Sequence, residues 1–217
     1  VYTGDLIPQN ALVVKLLRSP HAHALVERID TKAALLIPGV VAVYTWEGVP
    51  RSRFTTAGQT YPEPSPYDRL ILDRRLRCAG DPVAIVAAES QEAALKALRL
   101  IKVDYQVLEP LLDFTQALDN PILVHPEEDF RSLCPVGADN RRNLCSASSF
   151  ETGDVEEVFA KCDLVLERTY RTKANNQAMM ETFRTYSYLD EYGRLTVVSS
   201  TQVPFHVRRI LSNALEI

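Results

Sequence analysis

Two interruptions, Ser19-Pro20 and Pro38-Gly39, most constrain what this chain can fold into. Each breaks an apolar run with residues that suit a turn and cannot continue a regular element. Before the first lies Ala11–Leu17, a short apolar run that reads as a buried strand, with a helical turn as the alternative. Between the two, Val26 and Ile29 lead to Asp30, a good N-cap for a short helix over Thr31–Leu36. After the second, Val40–Tyr44 has the β-branched content of a strand. The stretch 18–44 therefore predicts a strand exit, a tight corner, a short helix and a second strand. His21 and His23 sit in the corner, and their alternation puts them on one side of an extended backbone. No third ligand is near in sequence, which favours a surface or capping role over metal chelation.

The 217 residues suffice for one domain with a good core, or for one and a half. A net charge of -4, with acids and bases interspersed, argues against a nucleic-acid partner, which calls for a basic patch. No apolar run approaches the ~20 residues of a membrane-spanning helix. The opening VYTGDL lacks the charged and apolar regions of a signal peptide, and Val1 in place of Met reads as a cut site. Cys78, Cys134, Cys145 and Cys162 show no CxxC spacing, so the expectation is reduced thiols in a cytoplasmic protein.

Further along, Trp46–Pro50 forces an exit into Arg51–Asp68, where Pro62, Pro64 and Pro66 preclude a central strand. This reads as an extended surface loop, either a plain connection or a contact for a partner subunit or domain. Regular structure is expected again at Leu70–Leu72. A turn over Arg77–Pro82 precedes a strand at Val83–Ala88, and Ser90 caps a helix over Gln91–Ile101. Lys102–Val107 alternates as a half-buried strand. That order suggests two neighbouring strands covered by the helix. Short turns fill Pro110–His125, with a half-turn of helix at Phe114–Leu118, and the turn-rich 126–149 reads as a linker. Beyond it come a helix at Val155–Lys161, a strand holding Leu164, Leu166, Thr169, Tyr170 and Thr172, and a hairpin of Thr185–Leu189 with Leu195–Ser199. A last helix runs from Pro204 to Ala214. No GxSxG elbow or Gly-rich phosphate loop occurs. His125 and His206 stand isolated.

Three strings carry a family resemblance: Tyr2-Thr3-Gly4-Asp5; Arg18 to Ala24 (RSPHAHA) with Ile29-Asp30 and Pro38-Gly39-Val40; and Gly80 to Pro110, with its GDPVA strand, Ala-rich helix and VDYQVLEP strand. They resemble the a/b hammerhead domain of the molybdenum-binding large subunit of the xanthine dehydrogenase and aldehyde oxidase family. The resemblance covers nearly the whole chain. It implies an α+β fold: a hammerhead domain of mixed sheet with covering helices over 1–130, a linker over 131–150, and an incomplete, truncated molybdopterin-binding segment over 151–217.

The segment Asn175–Thr182 resembles the family's QxHxxxE motif, although the usual histidine is absent. In the family a glutamine there hydrogen-bonds an oxygen on the metal, a task that suits a neutral amide donor. Gln177, four residues before Glu181, is preferred for cofactor binding over Asn175, six before it. A polar turn with buried Met179 and Met180 is the competing structural reading. Glu181 is expected to hydrogen-bond backbone amides rather than act as a base. The resemblance assigns this stretch no catalytic residue and no metal ligand, since the family's general base lies much farther along.

Family enzymes hydroxylate a carbon beside nitrogen or oxygen in purines, other N-heterocycles or aldehydes, taking the oxygen from water. The implied cofactors are molybdopterin-bound molybdenum in the parent enzyme, with iron-sulfur clusters and usually FAD on other domains or subunits; none is expected bound to this stretch alone. The implied partners are the remainder of the molybdenum-binding subunit and the iron-sulfur and flavin subunits. The expectation is a fragment inactive by itself, its residues 150–217 prone to homo-dimerise through open strand edges. The alternative is a free-standing, non-catalytic interaction or assembly module.

Overall fold

The computed structural model describes residues 1–57 and 60–217. Its first part holds seven strands and two helices: β1 (Val13–Arg18), β2 (Ala24–Asp30), α1 (Lys32–Leu35), β3 (Val40–Tyr44), β4 (Pro66–Tyr67), β5 (Arg75–Leu76), β6 (Pro82–Ala88), α2 (Gln91–Leu100) and β7 (Lys102–Val107). The second part contributes β8 (Arg131–Ser132), α3 (Val155–Ala160), β9 (Thr185–Leu189), β10 (Leu195–Ser199) and α4 (Pro204–Leu215).

Two three-stranded sheets form the frame, ordered β1-β6-β3 and β5-β2-β7. Val86 pairs with Lys15 on one side and Val43 on the other, so β6 is the centre of the first sheet. Every described ladder is antiparallel, where a mixed sheet was expected; the α+β class holds. The strand–helix–strand expectation also needs correction. β6 and β7 lie in different sheets, and β7 pairs instead with β2, Val103 opposite Ile29.

The core lies between these layers. Ala93, Ala94 and Ala97 form the buried face of α2, and their small side chains let the helix settle closely over Ala84, Val86 and Ala88. Ser90 Oγ accepts from the Ala93 amide at 3.2 Å, a cap that contributes about 1 kcal/mol. Ala24, Val26, Leu76 and Val83 make a second cluster, and Leu17, Ile29 and Val103 pack against both. Asp30 acts much as expected: its Oδ1 accepts from the Lys32 amide at 3.0 Å, while Thr31 occupies the cap position of α1.

The proline-rich stretch is no plain surface loop. Phe54 bridges to Arg69, β4 pairs with β8, and Thr55, Glu63 and Tyr67 are buried. Gly58 and Gln59, which fall in the expected loop, lie outside the described residues. Leu70–Leu72 is a bend rather than regular structure, although Leu72 is fully buried.

The stretch 126–149 is tied to what precedes it. Asn143, in the left-handed conformation, donates Nδ2 to the Ile122 and Ala117 carbonyls at 2.9 and 3.0 Å and accepts from the Val124 amide. Arg142 pairs with Asp119 at 2.6 Å.

Asp154 caps α3, and the β9–β10 hairpin and α4 form where the sequence places them. The strand expected through Leu164–Thr172 is absent; the backbone there is irregular, and Leu164, Leu166 and Tyr170 are exposed. With neither a ladder partner nor a covering layer, β-branched content alone does not make a strand.

Candidate functional site

The candidate site is an open cleft of about 490 Å³ between the entry and exit of the β9–β10 hairpin. Met179, Glu181 and Arg184 line one wall, and Ser200, Thr201 and Gln202 the other. Its floor is pinned from far away in sequence. The Thr3 amide donates to Glu181 Oε1 at 2.8 Å, across 178 residues. The turn Thr3–Leu6 closes on itself, with the Tyr2 amide donating to Asp5 Oδ2 at 2.8 Å. Arg184 packs over this turn, so near that a Cβ at Gly4 would meet its Nη1 at 3.3 Å. The side chain of Glu181 therefore serves as the amide acceptor expected of it. The Thr3 amide, with the Thr3 hydroxyl and Ser200 adding to it, holds its carboxyl below the usual range.

Gln177 is exposed, two residues before Met179, and is not itself among the cleft-lining residues. Asn176 Oδ1 accepts from the Ala178 amide at 2.8 Å, and Ala178 takes a left-handed φ of 49°. That local bond fixes the bend from which Gln177 projects. Among the described residues the Gln177 and Asn175 side chains carry no hydrogen bond, so both amides are available to an incoming group. Within the cleft the hydroxyls of Ser200 and Thr201 and the amide of Gln202 offer donors that fit an oxygen-rich cofactor. Met179 and Met180 are exposed rather than buried, contrary to the structural reading of the turn.

The corner histidines hold structure together. Nε2 of His23 faces Arg75 Nη1 at 3.0 Å, and because arginine only donates, that nitrogen accepts. Nδ1 then carries the proton and donates to the Glu109 carbonyl at 2.7 Å. His21 meets the Tyr105 ring edge-on at 5.0 Å. Among the described residues no three His, Cys, Asp or Glu side chains converge as a metal site.

Two polar clusters escaped the sequence reading. In the first, Glu63 is 1% exposed and takes the Tyr67 hydroxyl at 2.7 Å, with Arg209 Nε at 3.3 Å and His206 Nδ1 at 3.6 Å. Burial works to raise the Glu63 carboxyl, but Tyr67 and Arg209 outweigh it and hold the group below its ordinary range. Burial, with the Glu63 carboxylate, pushes Tyr67 up to about 12. In the second cluster, His125 lies 3.9 Å from Asp68 and 3.8 Å from Glu127. Burial first, then the charge of Arg77, depresses the imidazole to about 4. No periodicity signals either cluster, since their members meet only in three dimensions.

Comparison with known proteins agrees with this geometry. Residues 1–109 match the family model described as "Aldehyde oxidase and xanthine dehydrogenase, a/b hammerhead domain". Residues 136–217 match the "Molybdopterin cofactor-binding domain". The chain is 39% identical over 233 residues to the "Probable hypoxanthine oxidase XdhD" of Escherichia coli strain K12, covering 96% of this chain and 24% of that protein. It is 32% identical to the xanthine dehydrogenase molybdenum-binding subunit of Escherichia coli O157:H7, covering 100% of this chain and 28% of the relative. The chain thus spans about a quarter of the length of these curated relatives. The solved aldehyde oxidoreductase of Desulfovibrio desulfuricans shares the fold, with a TM-score of 0.81 at 24% identity over 100% of this chain and 24% of that one. Among the described residues no helix is long and apolar enough to cross a membrane.

Proposed function

This chain belongs to the aldehyde oxidase and xanthine dehydrogenase family, and we propose that it serves as the a/b hammerhead domain and opening molybdopterin-binding segment of a molybdenum hydroxylase large subunit. The observation that carries this reading is the Thr3–Glu181 bond, which joins the start of the first matched domain to the Gln177 segment of the second. The proposed division is 1–130 for the hammerhead domain, 131–150 for the linker and 151–217 for the molybdopterin-binding part. Substrates of the whole protein are a purine, another N-heterocycle or an aldehyde, and the relative named as a hypoxanthine oxidase favours the purine class.

When bound, the cofactor supplies the two-electron oxidation of a substrate carbon. This chain's own residues supply position. Gln177 offers a neutral carboxamide to the cofactor, which adds no charge beside the metal. Glu181 is committed to the Thr3 amide, and a carboxylate so engaged holds the loop rather than accepting a substrate proton. The exposed Phe183, Leu189 and Phe205 are the surface on which the remainder of the subunit rests, and iron-sulfur and flavin units complete the electron path. Residues 150–217 taken alone would turn the open edges of the β9–β10 sheet toward a second copy.

The test is Gln177→Ala in the intact protein. Molybdenum content stays near that of the parent, while kcat on purine or aldehyde substrates falls about 10- to 100-fold, as for loss of a group that orients a metal site. Asn175→Ala leaves turnover unchanged. The reverse pattern would move the cofactor contact to Asn175, and an intact protein that binds no molybdenum would overturn the enzyme reading.

A further inference from the structure

We propose that the cleft between α4 and the segments Ser52–Arg53 and Tyr61–Tyr67 is a binding site for a phosphate-type oxyanion, free or as a small monoester. The cleft has a volume of about 390 Å³, ample for such a group, and shares no lining residue with the Glu181 cleft. Four arginines line it: Arg53, Arg131, Arg208 and Arg209. They come from three separate parts of the chain, so no single helix face produces the charge. Among the described residues Glu63 is the one carboxylate in the lining, and it is consumed by Tyr67 and Arg209.

Arg53 is the telling residue. Its side chain is 7% exposed, and Nε lies 2.7 Å from Asp129 Oδ2. Its Nη1 is buried and has no hydrogen-bond partner among the described residues. A buried guanidinium nitrogen left unpaired is unfavourable, and an acceptor entering the cleft relieves it. Arg131 and Arg208 have no ion-pair partner among the described residues, leaving two guanidinium charges to face that acceptor. Arg131 and Arg209 are held over the Tyr67 and Tyr61 rings at 5.7 and 5.5 Å. That stacking reduces the conformational freedom each would lose on binding. Planar guanidinium forks converging on one cleft suit tetrahedral oxyanions better than halides. The site stands independently of the cofactor assignment.

Calorimetric titration of the intact protein with inorganic phosphate at low ionic strength tests the proposal, with phenyl phosphate as the ester arm. The parent should show saturable 1:1 binding. Arg131→Ala/Arg208→Ala should weaken it at least about tenfold, the loss expected of charge-assisted hydrogen bonds. Both of those residues are exposed, so an unchanged thermal midpoint will show that the double variant remains folded. Arg53→Lys keeps the charge but removes the fork, and should weaken phosphate while sparing chloride competition. Tighter binding of phenyl phosphate than of inorganic phosphate, lost in the same double variant, supports the site and assigns the ester. Absence of saturable phosphate binding in the parent overturns the proposal, as does equal affinity in the double variant.

Discussion

The Thr3 amide donates to Glu181 Oε1 at 2.8 Å, although 178 residues separate the two. The bond couples the Tyr2–Asp5 turn to the loop that presents Gln177, so the chain's opening turn is part of the site's support. Ionised, Glu181 is a stronger acceptor than a neutral amide. Glu181→Gln should therefore loosen this tie. In hydrogen exchange the Thr3 amide is expected to lose protection about tenfold, while amides in β6 keep theirs. Unchanged Thr3 protection would show that the turn is held by Asp5 and Arg184 alone.

Glu63 joins the proline-rich segment to α4, through Arg209 at 3.3 Å and His206 at 3.6 Å. Glu63→Ala strips the Arg209 guanidinium and the Tyr67 hydroxyl of their acceptor together. Removing one partner of a buried ionic cluster costs about 3 kcal/mol, and that loss is expected in urea unfolding of the intact protein. A loss below about 1 kcal/mol would show that water replaces the carboxylate.

How much of this was legible follows from which forces act locally. The Ser90 cap, the Ala-rich face of α2, the hairpin at Asp190–Arg194 and Pro204 at the start of α4 are set by neighbouring residues, and each appears in the sequence. Strand β2 was hidden. Ala24 and Val26 alternate inward, but a bulge between Val26 and Arg28 resets the period, and the stretch reads as a corner. The β6–α2–β7 unit misled because a covered crossover implies neighbouring strands, whereas here β7 joins the other sheet. Prolines suggested an exposed loop over 51–68, yet Glu63 and Thr55 are buried there through contacts no local pattern encodes. At the site, the motif led to a structural Glu181, which the Thr3 amide engages. The partner of Glu181 at Thr3 carried no signal linking the two positions.

His125 sets a pH dependence in mildly acidic solution. Its folded value is about 4 against an ordinary 6.5, so the folded state favours the neutral ring. A depressed folded value contributes stability that is complete above pH 6.5 and is lost as the pH falls toward 4. The loss amounts to about 3 kcal/mol at most. Between pH 6.5 and 5 the carboxylates of Asp73 and Glu63, both held low, remain ionised and add no slope of their own. His125→Gln should flatten stability across it in denaturant titrations at successive pH values. A slope identical to the parent would assign the effect elsewhere.

The alkaline limb belongs to Tyr67. Its folded value of about 12 exceeds the ordinary 10, so the stability it contributes is complete below pH 10 and disappears as the pH rises through 12. Tyr67→Phe removes the titrating hydroxyl and leaves Glu63 without its 2.7 Å donor. At pH 7 the variant is expected to lose about 1–3 kcal/mol, the cost of a buried acceptor deprived of one partner. Between pH 10 and 12 the parent's advantage over the variant should shrink, because the unfolded chain ionises this tyrosine before the folded protein does. Spectrophotometric titration of tyrosinate at alkaline pH should show a late-titrating group in the parent, besides the half-buried Tyr105, that is missing from the variant. A parent whose tyrosines all titrate near 10 would place Tyr67 in contact with water and break the proposed hold on Glu63.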